Sequence, residues 1–382
     1  MNQPAAAAPM PRLVWLLICV GCAHSAAAIP RVAGSLWALD AGYSSTVVGA
    51  VMSVYSIGPL LLSMWAGRLA DRNGFHRPAG IALAALLTGL VPLAITQNVW
   101  LIAWGIFCTG AGLIIAEIAV QRTAGRMAAA GADLKRLFGA VAFATSVSTT
   151  TSPVLAGLLI DHTGFRVTFA VLLLFPAVIW LAMRQVPRSL SRTAARAATQ
   201  GRVRDLLARR EVRVVLAFNI ALAIAWDVHL FTVPVLGHAR ELSASVIGMV
   251  LGSCSVGVLG VRLLIARIGQ HIDEDRGLKG ALILATLVLA GYAWLPTYWG
   301  MMIGSFLVGV AIGASQPLVL ASLHKVTPPD RQGQALGLRM VATLGVTTGA
   351  PLLYGALAAA TVVAAPMWAA AGVIGLILAL AR

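Results

Sequence analysis

Long apolar runs fill most of the chain, and short polar segments separate them. A run of about 20 apolar residues can cross the roughly 30 Å hydrocarbon core of a bilayer as a helix. We predict an all-α membrane protein with six spans on each side of a polar segment at 185–212. The predicted spans are 13–38, 46–67, 79–96, 99–121, 137–160, 166–184, 213–237, 243–265, 279–296, 298–322, 335–358 and 362–381.

The two halves of the chain repeat each other. Because each half has an even number of predicted spans, both halves enter the membrane from the same side, and a pseudo-twofold axis along the membrane normal relates them. We therefore expect an N-terminal six-helix bundle at 1–184, a linker at 185–212 and a C-terminal six-helix bundle at 213–382. An offset of 198 residues aligns Gly139, Ala144, Thr145, Thr149, Thr150, Pro153, Leu155 and Gly157 with Gly337, Ala342, Thr343, Thr347, Thr348, Pro351, Leu353 and Gly355, and an offset of 199 aligns Gly105 and Gly110 with Gly304 and Gly309.

Basic residues give the chain a formal net charge of +15, from 28 Lys and Arg against 13 Asp and Glu. Most of them lie between the predicted spans, on the side that holds both termini, so the positive-inside rule predicts cytoplasmic termini. They are spread over separate loops, which argues against nucleic-acid binding. The segment 185–212 is interpreted as a solvated linker in preference to a regulatory element.

A polar segment between the second and third predicted spans, residues 67–78, reads GRLADRNGFHRP. Its glycines permit a tight turn and close helix approach, and its aspartate can accept hydrogen bonds from the amino end of a facing helix. The segment closely resembles the GxLADRxGRR motif of the major facilitator superfamily. Together with twelve spans and parallel repeats, this resemblance covers essentially the whole chain.

The resemblance implies a major facilitator fold and a gate on the cytoplasmic side, closed by contact with the eleventh span. Gate partners are expected at Arg331 and Arg339, at the start of that span, and at Glu117 in the fourth span, which is interpreted as a gate salt bridge in preference to a substrate or proton site. The gate motif residues are Gly67, Asp71, Arg72, Gly74 and Arg77.

Two further superfamily motifs match only in part. Proton-linked drug exporters usually carry an arginine in the fourth span, where this chain has Ala103 and Trp104. In the fifth span, Pro153 and Gly157 match the exporters' GPxxGG segment, but its other glycines are absent. The assignment to efflux permeases of the drug and sugar type therefore depends on overall resemblance. Pro153 and its repeat counterpart Pro351 are expected to kink their helices.

Few ionisable groups fall inside the predicted spans. Such a group costs about 2.5 to 3.5 kcal/mol at the bilayer centre, so it should face the protein interior. His24 and Arg31 share one face of the first span, and Asp227 and His229 lie in the seventh, its repeat counterpart. We hypothesise that Arg31 and Asp227 frame a substrate cavity, with Asp227 or His229 exchanging a proton; the alternative is a static ion pair.

Several uncharged residues are weaker candidates. Asn219, with Tyr55 and the tryptophans 104 and 226, could line the cavity. The threonines that precede the two prolines are expected mainly to bond their own helix, with cavity lining as the lesser alternative. Gly309 and Gly313 are expected to allow close helix packing.

These patterns together predict a secondary active transporter in a bacterial inner membrane, moving a small organic solute by alternating access with proton-coupled efflux. The alternatives are uptake of an organic acid or sugar-like solute by proton symport, or a non-transporting sensor on a transporter scaffold. An enzyme is not expected, because catalytic groups are not clustered. The expected partners are the solute, protons as coupling ion and the lipid bilayer. The chain is expected to be a monomer without cofactor, metal or nucleic acid.

Overall fold

The computed structural model describes residues 10–95, 98–129, 134–186, 203–268, 273–328 and 331–381. These residues are almost entirely helical, and a short 3-10 helix, Tyr292–Trp294, follows α10. The helices are α1 Met10–Asp40, α2 Ser45–Asn73, α3 His76–Ile95, α4 Val99–Ala129, α5 Leu134–Val171, α6 Leu174–Gln185, α7 Val203–Leu207, α8 Arg210–Ala239, α9 Ala244–Ile268, α10 Glu274–Gly291, α11 Tyr298–Val326, α12 Gln332–Ala360 and α13 Ala365–Leu380.

The helices match the predicted membrane architecture. In the described ranges, 10 helices are long and apolar enough to cross a membrane, and α13 is a shorter apolar helix. Lipid offers no hydrogen-bond partners to the backbone, so spanning segments of this kind must satisfy their amides and carbonyls internally, as helices do. The predicted all-α fold with about twelve spans is confirmed.

The predicted fifth and sixth spans differ in detail from the structure. α5 contains a break at Gly164, whose φ of 76° and ψ of 170° are not helical, and the helix then resumes as far as Val171. A second break separates α5 from α6, because Pro176 has no N–H to offer to the carbonyl of Leu172. The sixth span, predicted as one helix over 166–184, is therefore two helical pieces.

The ninth predicted span begins earlier than expected. α10 starts at Glu274, five residues before the predicted start, because Asp273 caps it: its carboxylate accepts a hydrogen bond of 2.9 Å from the backbone N–H of Arg276. The helix ends at Gly291 and passes into the 3-10 turn. Apolar periodicity alone did not reveal this polar first turn.

The segment 67–78 is mostly helix, whereas the motif was expected to be a loop. α2 continues to Asn73, and the turn is made by Gly74, which has a φ of 68°. This positive φ is a conformation that glycine adopts without steric cost. Phe75 follows and is only 3% exposed, so it anchors the turn in the protein. The predicted tight turn is thus confirmed at Gly74, and the side chain of Asp71 lies outside the described residues.

The described residues fall into two compact units. The first lies within Met1–Trp37 and Val54–Arg196, and the second within Ala38–Ser53 and Ala197–Arg382. The second unit therefore includes the end of α1 and the start of α2. There, α2 packs directly on the backbone of α12, because a Cβ added at Gly49 would overlap the carbonyl oxygen of Pro351.

One glycine crossing has an equivalent in each unit, in agreement with the internal repeat. In the first unit, α4 approaches α2 so closely that a Cβ at Gly110 would overlap the carbonyl oxygen of Tyr55. In the second unit, Gly309 of α11 stands in the same way against the carbonyl of Cys254 on α9. Both members of the second pair lie 199 residues after those of the first. The predicted close packing at Gly309 is also confirmed.

Candidate functional site

Arg31 is the buried cation of the first unit. α1 carries it with only 8% of its surface exposed, and its guanidinium carbon lies 4.7 Å from the centre of the Tyr55 ring on α2. An aromatic face attracts a cation by about 0.5 to 2 kcal/mol, more when the site is dry. Tyr55 is therefore a neighbour of Arg31 in the first unit.

His24 and Glu117 form a pair between α1 and α4. The distance from His24 Nε2 to Glu117 Oε2 is 3.7 Å, and the two side chains are 15% and 28% exposed. Glu117 also accepts a hydrogen bond of 2.9 Å from Gln121, one helical turn further along α4. The sequence predicted neither the pair nor the role of Gln121.

The contacts of Glu117 that the structure describes are those with His24 and Gln121, and its role as a gate partner remains a prediction. At the C-terminal end of α2, the carbonyl of Ala70 accepts a hydrogen bond of 2.9 Å from Arg126 of α4. Arg126 lies nine residues after Glu117, which is about 13 Å of helix rise. Glu117 therefore sits deeper in its helix than the gate motif does. Arg72 and Arg77 are exposed, as expected for a segment at a helix end.

Hydroxyl groups fasten α5 to α1 in the first unit. Ser148 donates to the carbonyl of Gly21 at 2.9 Å, and Ser152 bonds Ser25 at 3.2 Å. The threonines before the prolines bond their own helices, as predicted. These bonds run from Thr145 to Val141, Thr149 and Thr150 to Ser146, Thr343 to Arg339, and Thr347 and Thr348 to Leu344.

Asp227 and His229 are the buried ionisable groups of α8 in the second unit, 0% and 1% exposed. His229 Nε2 lies 2.8 Å from Ser305 Oγ on α11, and that oxygen lies 2.6 Å from the hydroxyl of Tyr292. Tyr292 also donates to the carbonyl of Met301 at 3.0 Å. These groups form a sealed polar chain that links α8, α11 and the 3-10 helix.

The proton positions in this chain follow from counting donors. The single hydroxyl proton of Tyr292 goes to the carbonyl of Met301, which can only accept. Ser305 must then donate to Tyr292, and the Nε2–H of His229 must donate to Ser305. The hydrogen bond thus fixes the tautomer of His229, and its proton is engaged in a structural contact.

Asn219 and Trp104 differ in how well they fit the proposed cavity lining. Asn219 is 4% exposed, and its amide donates to Thr343 at 2.9 Å, which ties α8 to α12. Trp104 is 50% exposed, stacks on Phe107 and donates to the carbonyl of Thr88. Cavity lining by Trp104 remains a prediction.

The expected gate cations of α12 have contacts within the second unit. Arg331 lies 3.7 Å from Asp205 on α7 and bonds Gln334 at 3.0 Å. Arg339 is partly buried one turn before Thr343. Closure against the gate motif remains a prediction for both arginines. The helices α5 and α12 contain Pro153 and Pro351 in their interiors, and the kinks expected there remain predictions.

Sequence comparison identifies the family. The sequence profile of the Major Facilitator Superfamily matches residues 16–339 and, in a second match, residues 215–382. The chain belongs to the Major Facilitator Superfamily. It is similar to the multidrug resistance protein MdtG of Escherichia fergusonii, with 27% identity over 71% of this chain and 68% of the relative. It is also similar to the MFS-type transporter YuxJ of Bacillus subtilis, with 24% identity over 82% of each chain.

Solved superfamily structures share the fold. A bacterial homolog of the human lysosomal transporter Spinster, in an inward-facing and unoccupied conformation, aligns with a TM-score of 0.73 and 10% identity over 98% of this chain and 96% of that one. The nucleoside transporter NupG aligns with a TM-score of 0.72 and 14% identity over 97% and 98%. At these identities the likeness concerns the fold alone. As a superfamily member, the protein is a multi-pass membrane transporter of the major facilitator type.

Proposed function

We propose that this protein exports a small organic solute from a bacterial cell by proton-coupled alternating access, with both termini in the cytoplasm of an inner-membrane protein. The observation that carries the proposal is the burial of two opposite charges in helices that the repeat relates. Arg31 lies in α1 and Asp227 in α8, and neither faces lipid. Charges inside membrane spans are costly, and they commonly mark solute or proton pathways.

Asp227 is the better proton carrier of the two candidates in α8. The proton of His229 is held in the chain through Ser305 and Tyr292, so its exchange would break two buried hydrogen bonds. Asp227 is fully buried on the same helix. We assign it the exchange of a proton during the cycle, while Arg31 and Asp227 frame the solute cavity and Asn219 contributes to its lining.

The similarity to a multidrug resistance protein supports efflux of organic compounds. The arginine on α1 supports one alternative, in which an organic acid enters with a proton, because a buried guanidinium attracts carboxylates. The two directions place the solute on opposite sides of the membrane at the start of the cycle. Vesicles of opposite orientation therefore separate them.

The test uses everted membrane vesicles with an imposed pH gradient and ethidium as a fluorescent organic cation. We expect the wild-type protein to accumulate ethidium, the Asp227→Asn variant to lose gradient-driven accumulation, and the matched Asp40→Asn variant at the exposed end of α1 to retain it. Undiminished coupling in Asp227→Asn would remove Asp227 from the mechanism. Accumulation of carboxylic acids by right-side-out vesicles, with no ethidium transport in everted ones, would replace efflux with uptake.

A further inference from the structure

We propose that His24 and Glu117 form a second proton-binding site, carried entirely by the first unit; it rests on the proposed proton-coupled transport. Both residues lie in helices that are long and apolar enough to span the membrane, Leu13–Asp40 and Val99–Met127. Each is at least ten residues from the ends of its span, about 15 Å of helix rise. The pair therefore lies where water is scarce and where ionisable groups are costly and commonly functional.

The geometry suits a pair that changes its protonation. At 3.7 Å, His24 and Glu117 lie within ion-pair distance but do not form the short hydrogen bond that would fix the proton. Gln121 holds the other carboxylate oxygen of Glu117, so the side chain keeps its position when its charge changes. Both side chains also keep some exposure, 15% and 28%, whereas Asp227 has none. The pair is therefore less enclosed than the buried groups of α8.

The charge of the pair depends on how many protons it holds. With one proton between the imidazole and the carboxylate, the pair has no net charge. A second proton leaves both groups protonated and gives the pair a net charge of +1. Release of that proton restores the neutral pair. The step needs only a proton, which the transmembrane gradient supplies, and it changes how strongly α1 is held to α4.

Other polar groups nearby define the electrostatic setting of the pair. On α1, Arg31 lies about two helical turns away from His24, on the same face. On α4, Arg122 and Arg126 follow toward the C-terminal end of the helix. α5 brings the hydroxyls of Ser148 and Ser152 to α1. α3 meets α4 at Gly112 with the apolar side chain of Leu86. These groups are the charged and polar neighbours of the pair on the helices packed against it.

Infrared spectroscopy tests the site without any solute. The protein in liposomes is brought from acid to alkaline pH, and the difference spectrum is recorded in the region of the carboxylic-acid C=O stretch. We expect a band in the wild type that is lost in Glu117→Gln, shifted in His24→Gln and retained in Glu211→Gln, a matched change at an exposed glutamate of α8. Persistence of the whole band in Glu117→Gln would overturn the proposal.

A purely structural pair gives a different result. It would show the carboxylate form of Glu117 throughout the pH range, with lowered thermal stability in both variants. Ethidium transport in everted vesicles then adds a second readout. We expect Glu117→Gln to lose gradient-driven accumulation and to retain exchange of dye across vesicles without a gradient. If the wild type moves no ethidium, the proposed efflux fails for that probe, whereas the infrared result still decides whether Glu117 binds a proton.

Discussion

The crossing of α2 with α4 in the first unit and that of α9 with α11 in the second share a backbone contact but carry different side chains. Gly110 and Gly309 are equivalent, and each lies against a backbone carbonyl. The carbonyls belong to Tyr55 and Cys254. The ring of Tyr55 contacts Arg31, whereas Cys254 is buried and has no aromatic ring. The repeat thus preserves the packing surface, and the side chains that project from it have diverged.

The fourth helix of each repeat shows the same divergence about two turns further along. Glu117 of α4 corresponds to Gln316 of α11, since 199 residues separate them. Glu117 pairs with His24, whereas Gln316 accepts a hydrogen bond of 3.0 Å from Arg262 on α9. An amide cannot exchange a proton in the physiological range, but a carboxylate can. The comparison therefore places proton chemistry at this depth in the first unit only.

The largest loss of stability is expected at the glycines that both crossings share. We predict that Gly110→Leu and Gly309→Leu each lower the free energy of unfolding by about 3 kcal/mol or more, because the new side chain must displace a facing backbone. The thermal unfolding midpoint of the purified protein in detergent measures this. Gly345→Leu in α12 is the control, since nothing described lies within 4 Å of a Cβ there. A clear difference between the losses at Gly110 and Gly309 would show that the two crossings do not contribute equally to stability.

The sequence predicted the helices well and their side-chain partners poorly. Apolar runs and the repeat were sufficient to predict the architecture, because a backbone that crosses lipid must satisfy its hydrogen bonds internally and few structures do so. The break between α5 and α6 was missed because it depends on Pro176 inside an apolar run, whereas the break at Gly164 lies between the predicted fifth and sixth spans. The contacts of Trp104 with Phe107 and Thr88 were not predicted, since an apolar helix does not reveal which of its faces meets a neighbouring helix.

The pairing of Glu117 also could not be read from sequence. His24 lies 93 residues earlier in the chain, and only the packing of α1 on α4 brings the two together. Tyr292 and Ser305 gave no signal either, because an aromatic residue at the end of a span is commonly an interface anchor and a serine in a helix commonly bonds its own backbone. The burial of Arg31 and Asp227 was predictable, because the cost of a charge in lipid does not depend on knowing the partner.

A smaller loss of stability is expected at positions where the second unit has buried polar residues and the first unit has apolar ones. Tyr292 and Ser305 correspond to Leu93 and Ile106 of the first unit, and all four are fully buried. We predict that Ser305→Ala lowers the free energy of unfolding by about 1 to 3 kcal/mol, because it leaves buried groups of His229 and Tyr292 without their partner.

The control for this prediction is Thr286→Ala, which removes a hydroxyl that bonds only its own helix. Its unfolding midpoint should stay close to that of the wild type. Adding Tyr292→Phe to Ser305→Ala should lower the midpoint further, because the hydrogen bond from Tyr292 to the carbonyl of Met301 is then lost as well. Equal midpoints for Ser305→Ala and Thr286→Ala would mean that the polar chain adds no stability to the second unit.

The smallest effect is expected at the C-terminal ends of α4 and α11, where the repeat keeps a cation but changes its acceptor. Arg126 donates to the part-buried carbonyl of Ala70, whereas its counterpart Lys325 pairs with Glu274 and is 65% exposed. We predict a loss of about 1 kcal/mol for Arg126→Gln, which removes a charged donor from a backbone acceptor. For Lys325→Gln we predict less than about 0.5 kcal/mol, because water and salt screen an exposed pair. Unfolding midpoints at low and high salt separate the two: the small effect at Lys325 should vanish in high salt, while that at Arg126 should persist. A salt-independent loss at Lys325 as large as that at Arg126 would contradict the assignment of these two cations to different kinds of contact.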